Sequence, residues 1–220
     1  MYMRMYGIDI ICLQETWLPQ AEYFYEGGYK FILSGSNDTQ RSWTGVGFVV
    51  APWCIHKIYG FLQFSDRIAS LKIKVVGGKV GIISGYAPHN LKDLGERQEF
   101  YINLGKLLDK TSVNGQKYIF GDFNARIGFQ KPGEENVFGP FGFGREAVHP
   151  VDVPNRALLY EFCAGLDYSV GNMFLQTPEH QKATYMAPGA TPFSEITAAK
   201  FAMLDLALLP RSHIHDLVTA

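Results

Sequence analysis

The residues of this 220-residue chain that are equipped for chemistry sit where apolar runs stop. Tyr118-Ile119-Phe120 leads into Gly121-Asp122-Phe123-Asn124. If a strand continues through that stretch, Asp122 and Asn124, two residues apart, point to the same face. A carboxylate and a carboxamide then converge on one point at a strand end, where folds of this size place chemistry. The same residues also suit a plain turn, because Asp and Asn bond their own backbone. Glu15 follows a second apolar run, Ile8 to Leu13, and Tyr86 closes a third, Val80 to Tyr86, ahead of Ala87-Pro88-His89. Asp205 lies inside Met203 to Leu209, which is otherwise apolar. A carboxylate there is costly unless it is paired or binds a metal. Taken singly, Glu15 also reads as a surface residue and Tyr86 as a core aromatic with a satisfied hydroxyl.

The elements that must position these residues are mostly strands. Beyond the runs above, Tyr29 to Ser34, Gly45 to Ala51 and the alternating Ile68 to Val76 read as strands, and Gly77-Gly78 as a hairpin turn. Phe100, Leu104, Leu107 and Leu108 fall at helical spacing within Gly95 to Lys110. Asn155 is placed to cap a second helix carrying Leu158, Leu159, Phe162 and Leu166 on one face. Short strands are expected near Tyr168 to Val170, Ala183 to Met186 and Met203 to Leu209, with His213 to Val218 a further strand region. Gln130 to Val153 is a long Gly-, Pro- and Phe-rich connection. It reads either as a substrate-reading lid using Phe138, Phe141 and Phe143 or as a disordered insertion. Hairpins outnumber strand-helix-strand crossovers, which favours two packed sheets with helices outside.

Hydrophobic residues make up 47% of the chain and charged residues 19%, so it can bury a sizeable core, and no linker divides it into domains. The net charge of -1 gives no overall basic field, so any nucleic-acid contact must be a local patch. Cys12, Cys54 and Cys163 have no metal-ligand spacing and read as small core residues in a reducing compartment. No run approaches the roughly 18 apolar residues of a membrane span, and the first residues do not form a signal peptide. An intracellular protein, in nucleus or cytoplasm, without a membrane partner is expected.

Five stretches, in order, resemble the endonuclease/exonuclease/phosphatase superfamily, metal-dependent phosphodiesterases related to apurinic/apyrimidinic endonucleases. They are Asp9-Ile10-Ile11-Cys12-Leu13-Gln14-Glu15-Thr16, Gly85-Tyr86-Ala87-Pro88, Gly121-Asp122-Phe123-Asn124, Thr184-Tyr185-Met186-Ala187-Pro188 and Leu204-Asp205. More narrowly, Tyr86-Ala87-Pro88-His89, the Ala125-Arg126-Ile127-Gly128 tail and Asn155-Arg156-Ala157-Leu158-Leu159 leading to Gly171-Asn172-Met173-Phe174 look like endonuclease domains of non-LTR retrotransposons. The resemblance implies a four-layer α/β sandwich over 1–220 and a monomeric DNA endonuclease, in a parent polypeptide that carries a reverse transcriptase. It implies a magnesium or manganese ion held by Glu15, with Asp122 and Asn124 in the metal site. Asp122 would orient or deprotonate the attacking water, Asn124 would donate to the phosphate, Tyr86 would contact the phosphate or aid the leaving group, and Asp205 would orient a histidine. Trp17, Arg41, Trp43 and Arg126 would meet DNA from strand-end loops. A phosphatase on a small phosphate ester, and a binding module that kept the fold without catalysis, are the other readings.

Two superfamily elements have no counterpart. No Asn-bearing strand precedes Asp9, and His213-Ile214-His215-Asp216 does not supply the closing Ser-Asp-His. The expectation is a domain truncated at both ends, with an incomplete site and weak or absent activity.

Overall fold

Val46-Gly47-Phe48-Val49-Val50 is buried along its whole length, as a β-branched and aromatic run between two layers should be. The computed structural model describes residues 2–35, 43–146, 153–186 and 201–217. It divides into two compact units, Met1–Tyr86 with Ile102–Gly121, and Ala87–Tyr101 with Asp122–Ala220.

In the first unit, β1 (Ile10–Gln14), β2 (Glu22–Glu26), β3 (Tyr29–Leu33) and β4 (Val46–Val50) form an antiparallel sheet in the order β1-β4-β3-β2. A second set runs in the order β5 (Ile58–Gln63), β6 (Ile68–Val75), β7 (Gly78–Tyr86) and β8 (Lys117–Asp122). Ile32, Val46, Phe48 and Val50 of the first sheet pack on Ala69, Leu71 and Ile73 of β6. The alternate face of β4 presents Val49, which with Ala51 packs on Met3 of the one-turn helix α1 (Tyr2–Met5). Ser70 points from β6 away from Leu71. Its hydroxyl accepts from Thr111 Oγ1 at 3.0 Å, just past the end of helix α2 (Leu94–Lys110). Helix, sheet, sheet and helix therefore stack in four layers. Gly121 is required where β8 passes β7, because a Cβ there would collide with the Gly85 carbonyl.

The second unit holds the start of α2, then α3 (Asn155–Leu166), β9 (Tyr168–Val170), α4 (Glu179–Lys182), β10 (Tyr185–Met186), β11 (Phe201–Ala202) and β12 (Asp205–Pro210). β12 pairs antiparallel with β9, and β10 with β11. Among the described residues no helix is long and apolar enough to cross a membrane.

Most expected elements form, with several differences. Two strands escape the sequence pattern: β2 is exposed at every position, and β5 is half-buried and kinked by a register shift between Ile58 and Gly60. His213 to Asp216 is not strand but part of a 3-10 turn, Arg211–Asp216, and Val218 lies outside the described residues. Asn155 does not cap α3: Pro154 takes the cap position and Asn155 is the first helical residue. Cys163, not the exposed Leu166, completes the buried face of α3. Residues 130–146 lack regular structure but are packed, with Phe138 fully buried in a bridge to Val170 and Phe143 buried in a bridge to Gly128. Neither ring is available as a lid contact. Positions 147–152 of that connection lie outside the described residues.

Candidate active site

In the first unit the candidate site forms where β1 and β7 end. The Gln14 amide donates to Ser84 Oγ at 3.1 Å, and Ser84 donates to Leu13 O at 3.0 Å, tying the two strands together. Beyond Gln14 the backbone turns left-handed at Glu15 (φ 54°) and again at Trp17 (φ 56°). Non-glycine residues hold such angles only where their surroundings fix them. The amides of Thr16 and Trp17 do so by donating to Gly45 O and Thr44 O, at 3.2 and 2.9 Å. The turn carries Glu15 to the surface, where Oε1 accepts a 2.7 Å hydrogen bond from the Tyr86 hydroxyl. Tyr86 is itself fixed: its N–H donates to Arg67 O, and the Arg67 guanidinium lies 5.2 Å from its ring centre. Glu15, Tyr86 and Arg67 thus form a carboxylate, a phenol and a cation in one group.

In the second unit, β8 ends at Asp122 rather than continuing through Asn124, so the two side chains are not strand neighbours on one face. They are joined more tightly by a turn. Asp122 Oδ1 accepts from the Asn124 N–H at 2.7 Å, and the Asp122 carbonyl accepts from Ala87 N at 2.8 Å. Phe123 between them is fully buried and donates its N–H to Leu204 O. Asn124 is left-handed (φ 48°), and its Nδ2 donates to Ala87 O at 2.8 Å, which fixes the amide plane. One turn therefore sets the geometry of both side chains.

Asn155 is a positioning residue rather than the cap its sequence position suggests. Its Nδ2 donates to Pro88 O (2.8 Å) and Asn124 O (3.1 Å), while its Oδ1 accepts from Arg97 Nη1 (3.3 Å). Arg156 beside it donates to Ile127 O and Phe129 O and grips Glu134 through two bonds of 2.7 and 2.6 Å. The Arg156 guanidinium holds the Glu134 carboxyl below its usual range. A helix opening on Asn-Arg is the visible signal in the sequence; its purpose is to clamp the chain after Asp122-Phe123-Asn124.

Asp205 differs from expectation. It is the first residue of β12 and its side chain is exposed, so no buried charge needs compensation. Its backbone is clamped, with its N–H donating to Thr184 Oγ1 at 3.1 Å and its carbonyl accepting from Asn172 Nδ2 at 3.3 Å. Among the described residues no histidine is bonded to Asp205. His213 and His215 both face Asp216, at 2.6 and 3.3 Å. Arg126 lies 5.8 Å from the Tyr185 ring, whereas Arg41, Ala187 and Pro188 lie outside the described residues. Burial pushes the Cys12 thiol up to about 12 and raises those of Cys54 and Cys163, so all three are poor nucleophiles.

Among the described residues no group of three or more His, Cys, Asp and Glu is gathered for a metal. Magnesium, however, is often held by one or two carboxylates with water and phosphate oxygens completing its shell. Glu15 fits that use: it is exposed, oriented through Oε1, and no described residue is bonded to its other oxygen.

No family model matches the sequence. Solved structures show the fold: the chain has an α/β sandwich like that of endonuclease/exonuclease/phosphatase proteins. The 3'-5' exonuclease NExo from Neisseria meningitidis aligns with a TM-score of 0.61 at 15% identity, covering 96% of this chain and 79% of its own. The AP endonuclease LMAP from Leishmania major aligns at 0.64 and 11% identity, covering 97% and 73%. The endonuclease domain of TRAS1, a telomere-specific non-LTR retrotransposon, aligns at 0.56 and 12% identity, covering 96% and 76%. Among curated proteins, craniofacial development protein 2 of Bos taurus is 28% identical over 188 residues, 84% of this chain. The chain spans 30% of the length of that relative.

Proposed function

We propose that this chain is a metal-dependent phosphodiester hydrolase acting on DNA, of the retrotransposon endonuclease type. The observation that carries the reading is the backbone at the two motif turns. Glu15, Trp17 and Asn124 are three of the four non-glycine residues with positive φ among the described residues, and the fourth, Asp167, merely ends α3. Strain of this kind persists at sites that must hold side chains in one geometry. The solved structures that share the fold add support: one is the endonuclease domain of a retrotransposon, and NExo, also described as a 3' phosphatase, has been seen bound to a product DNA hairpin.

In this reading Glu15 holds a magnesium or manganese ion, and Asp122 and Asn124 act on the substrate phosphate. The cation, when bound, supplies positive charge to phosphate oxygens that gain negative charge. Asp122 orients the attacking water and takes its proton. Asn124, its amide plane set by Ala87 O, donates to the phosphate. Tyr86, already bonded to Glu15, contacts the phosphate or the leaving oxygen. Asp205 would orient a histidine. The net charge of -1 favours a second reading, a small phosphate ester as substrate. Calorimetric titration of magnesium into the wild type and Glu15→Gln, with plasmid and phosphomonoester hydrolysis followed on the same samples, tests these readings. Binding lost in Glu15→Gln supports the metal role, and turnover of the monoester alone selects the second reading. No magnesium binding would leave a fold retained without catalysis.

A further inference from the structure

We propose that Tyr59, Lys72, Lys74 and Lys79 form a second binding site for the phosphate backbone of DNA, remote from the candidate active site. This deepens the nuclease reading and rests on it. With a net charge of -1 the chain has no overall positive field, so affinity for DNA has to come from a local cluster of cations.

Leu71 and Ile73 of β6 face the core, so Lys72 and Lys74 stand on the opposite face of that strand. Lys74 is the antiparallel partner of Lys79 on β7, which sets two cations side by side. Like charges directly opposite each other destabilise a sheet. The third cation meets Lys79 at one ring: Lys72 Nζ lies 5.7 Å and Lys79 Nζ 4.9 Å from the centre of Tyr59. Gly60 makes room for this, because a Cβ there would meet Lys72 Cε at 2.7 Å. The ring balances part of the charge. Among the described residues no carboxylate is paired with Lys72, Lys74 or Lys79. The Tyr59 hydroxyl is buried and bonded to no described group, a costly state for a polar atom. Three ammonium groups and a hydroxyl without an acceptor suit a ligand that brings several anionic oxygens, and a run of backbone phosphates does so.

The patch is distinct from the candidate active site. Lys79 stands at the start of β7 and Tyr86 at its end, a distance of about 23 Å along the strand. Tyr86 packs on the core side, so the odd spacing turns Lys79 to the other face. One phosphate cannot meet both. The patch therefore holds a different stretch of DNA from the one presented to Glu15 and Tyr86. Contacts to the backbone carry no base readout, so the patch retains and orients substrate without choosing its sequence.

The test is fluorescence anisotropy with a labelled duplex in EDTA, which separates binding from hydrolysis, repeated over a series of salt concentrations. Lys72→Gln, Lys74→Gln and Lys79→Gln should each reduce the slope of log affinity against log salt by about one. The triple variant should bind about ten-fold more weakly at low salt. Lys92→Gln, whose ammonium pairs with Glu96 outside the patch, should change neither quantity. Circular dichroism checks each fold. Unchanged slopes in the patch variants, an equal loss in Lys92→Gln, no duplex binding by the wild type, or binding to phosphatidylserine vesicles without binding to duplex overturns the proposal. Cleavage in magnesium with unchanged slopes would sink the patch alone. Duplex binding with the expected pattern but no cleavage would instead sink the nuclease reading and leave the patch standing.

Discussion

Asn155→Ala is the perturbation whose consequences the structure defines most closely. The side chain is 1% exposed and serves three partners: the carbonyls of Pro88 and Asn124, and Arg97 Nη1. Truncation leaves Arg97 with Val153 O at 2.6 Å and Lys92 O at 3.1 Å, so the guanidinium stays satisfied. The two carbonyls lose their Asn155 donor. An unmade buried hydrogen bond costs about 1–3 kcal/mol, and the better helix propensity of Ala returns about 0.5 kcal/mol. For the two bonds together the net loss is about 1.5–5.5 kcal/mol, which for a chain of this length lowers Tm by about 3–22 °C. The loss falls on the turn that holds Asn124 left-handed, so activity should drop further than stability. A misplacement of about 1 Å is worth on the order of a hundred-fold in rate. Thermal denaturation and single-turnover cleavage, both at a temperature where the variant is folded, measure the two effects. A Tm shift smaller than about 2 °C, below the range expected for a chain of this size, or an unchanged rate, would refute the clamp.

Three further outcomes follow from the same geometry. Arg156→Met should destabilise by about 1–3 kcal/mol, because the partly buried Glu134 carboxylate and two carbonyls lose their guanidinium donor; urea denaturation checks this. The folded Glu134 carboxyl lies below its ordinary 4.5, so its contribution to stability is complete above about pH 4.5 and is lost as pH falls through the folded value. Denaturation midpoints at about pH 7 and about pH 3.5 should therefore differ more in the wild type than in Arg156→Met. Gly121→Ala should sharply reduce stability or soluble yield, because its Cβ meets the Gly85 carbonyl rather than a flexible side chain.

The strands with strong apolar patterns are legible in the sequence. Val46–Val50 and the helix bearing Phe100, Leu104, Leu107 and Leu108 are buried as their spacing predicts, whereas Ile68–Val75 forms a strand that is buried on both faces from Ile68 to Leu71 and exposed at Val75 rather than alternating. β2 is not legible, because Glu22-Tyr23-Phe24-Tyr25-Glu26 is exposed at every position and shows no inside-outside alternation. Among the candidate residues, the pairing of Glu15 with Tyr86 is long-range and unreadable from spacing. Asp122 and Asn124 do come together, but strand periodicity is not the reason: a turn sets their geometry. Asp205 has the sequence surroundings of a buried charge, but an apolar neighbourhood in sequence does not reveal that a strand begins at the charge itself. Asn155 resembles a cap because Asn favours that position, yet Pro154 occupies it and frees the amide to bridge two carbonyls.

The most direct measurement is cleavage of an end-labelled oligonucleotide by the wild type, Asp122→Ala and Glu15→Gln, with magnesium and with EDTA. The account predicts cleavage that requires magnesium and falls by about a hundred-fold to ten-thousand-fold in both variants. Cleavage that persists in EDTA, or that is equal in all three proteins, would contradict it.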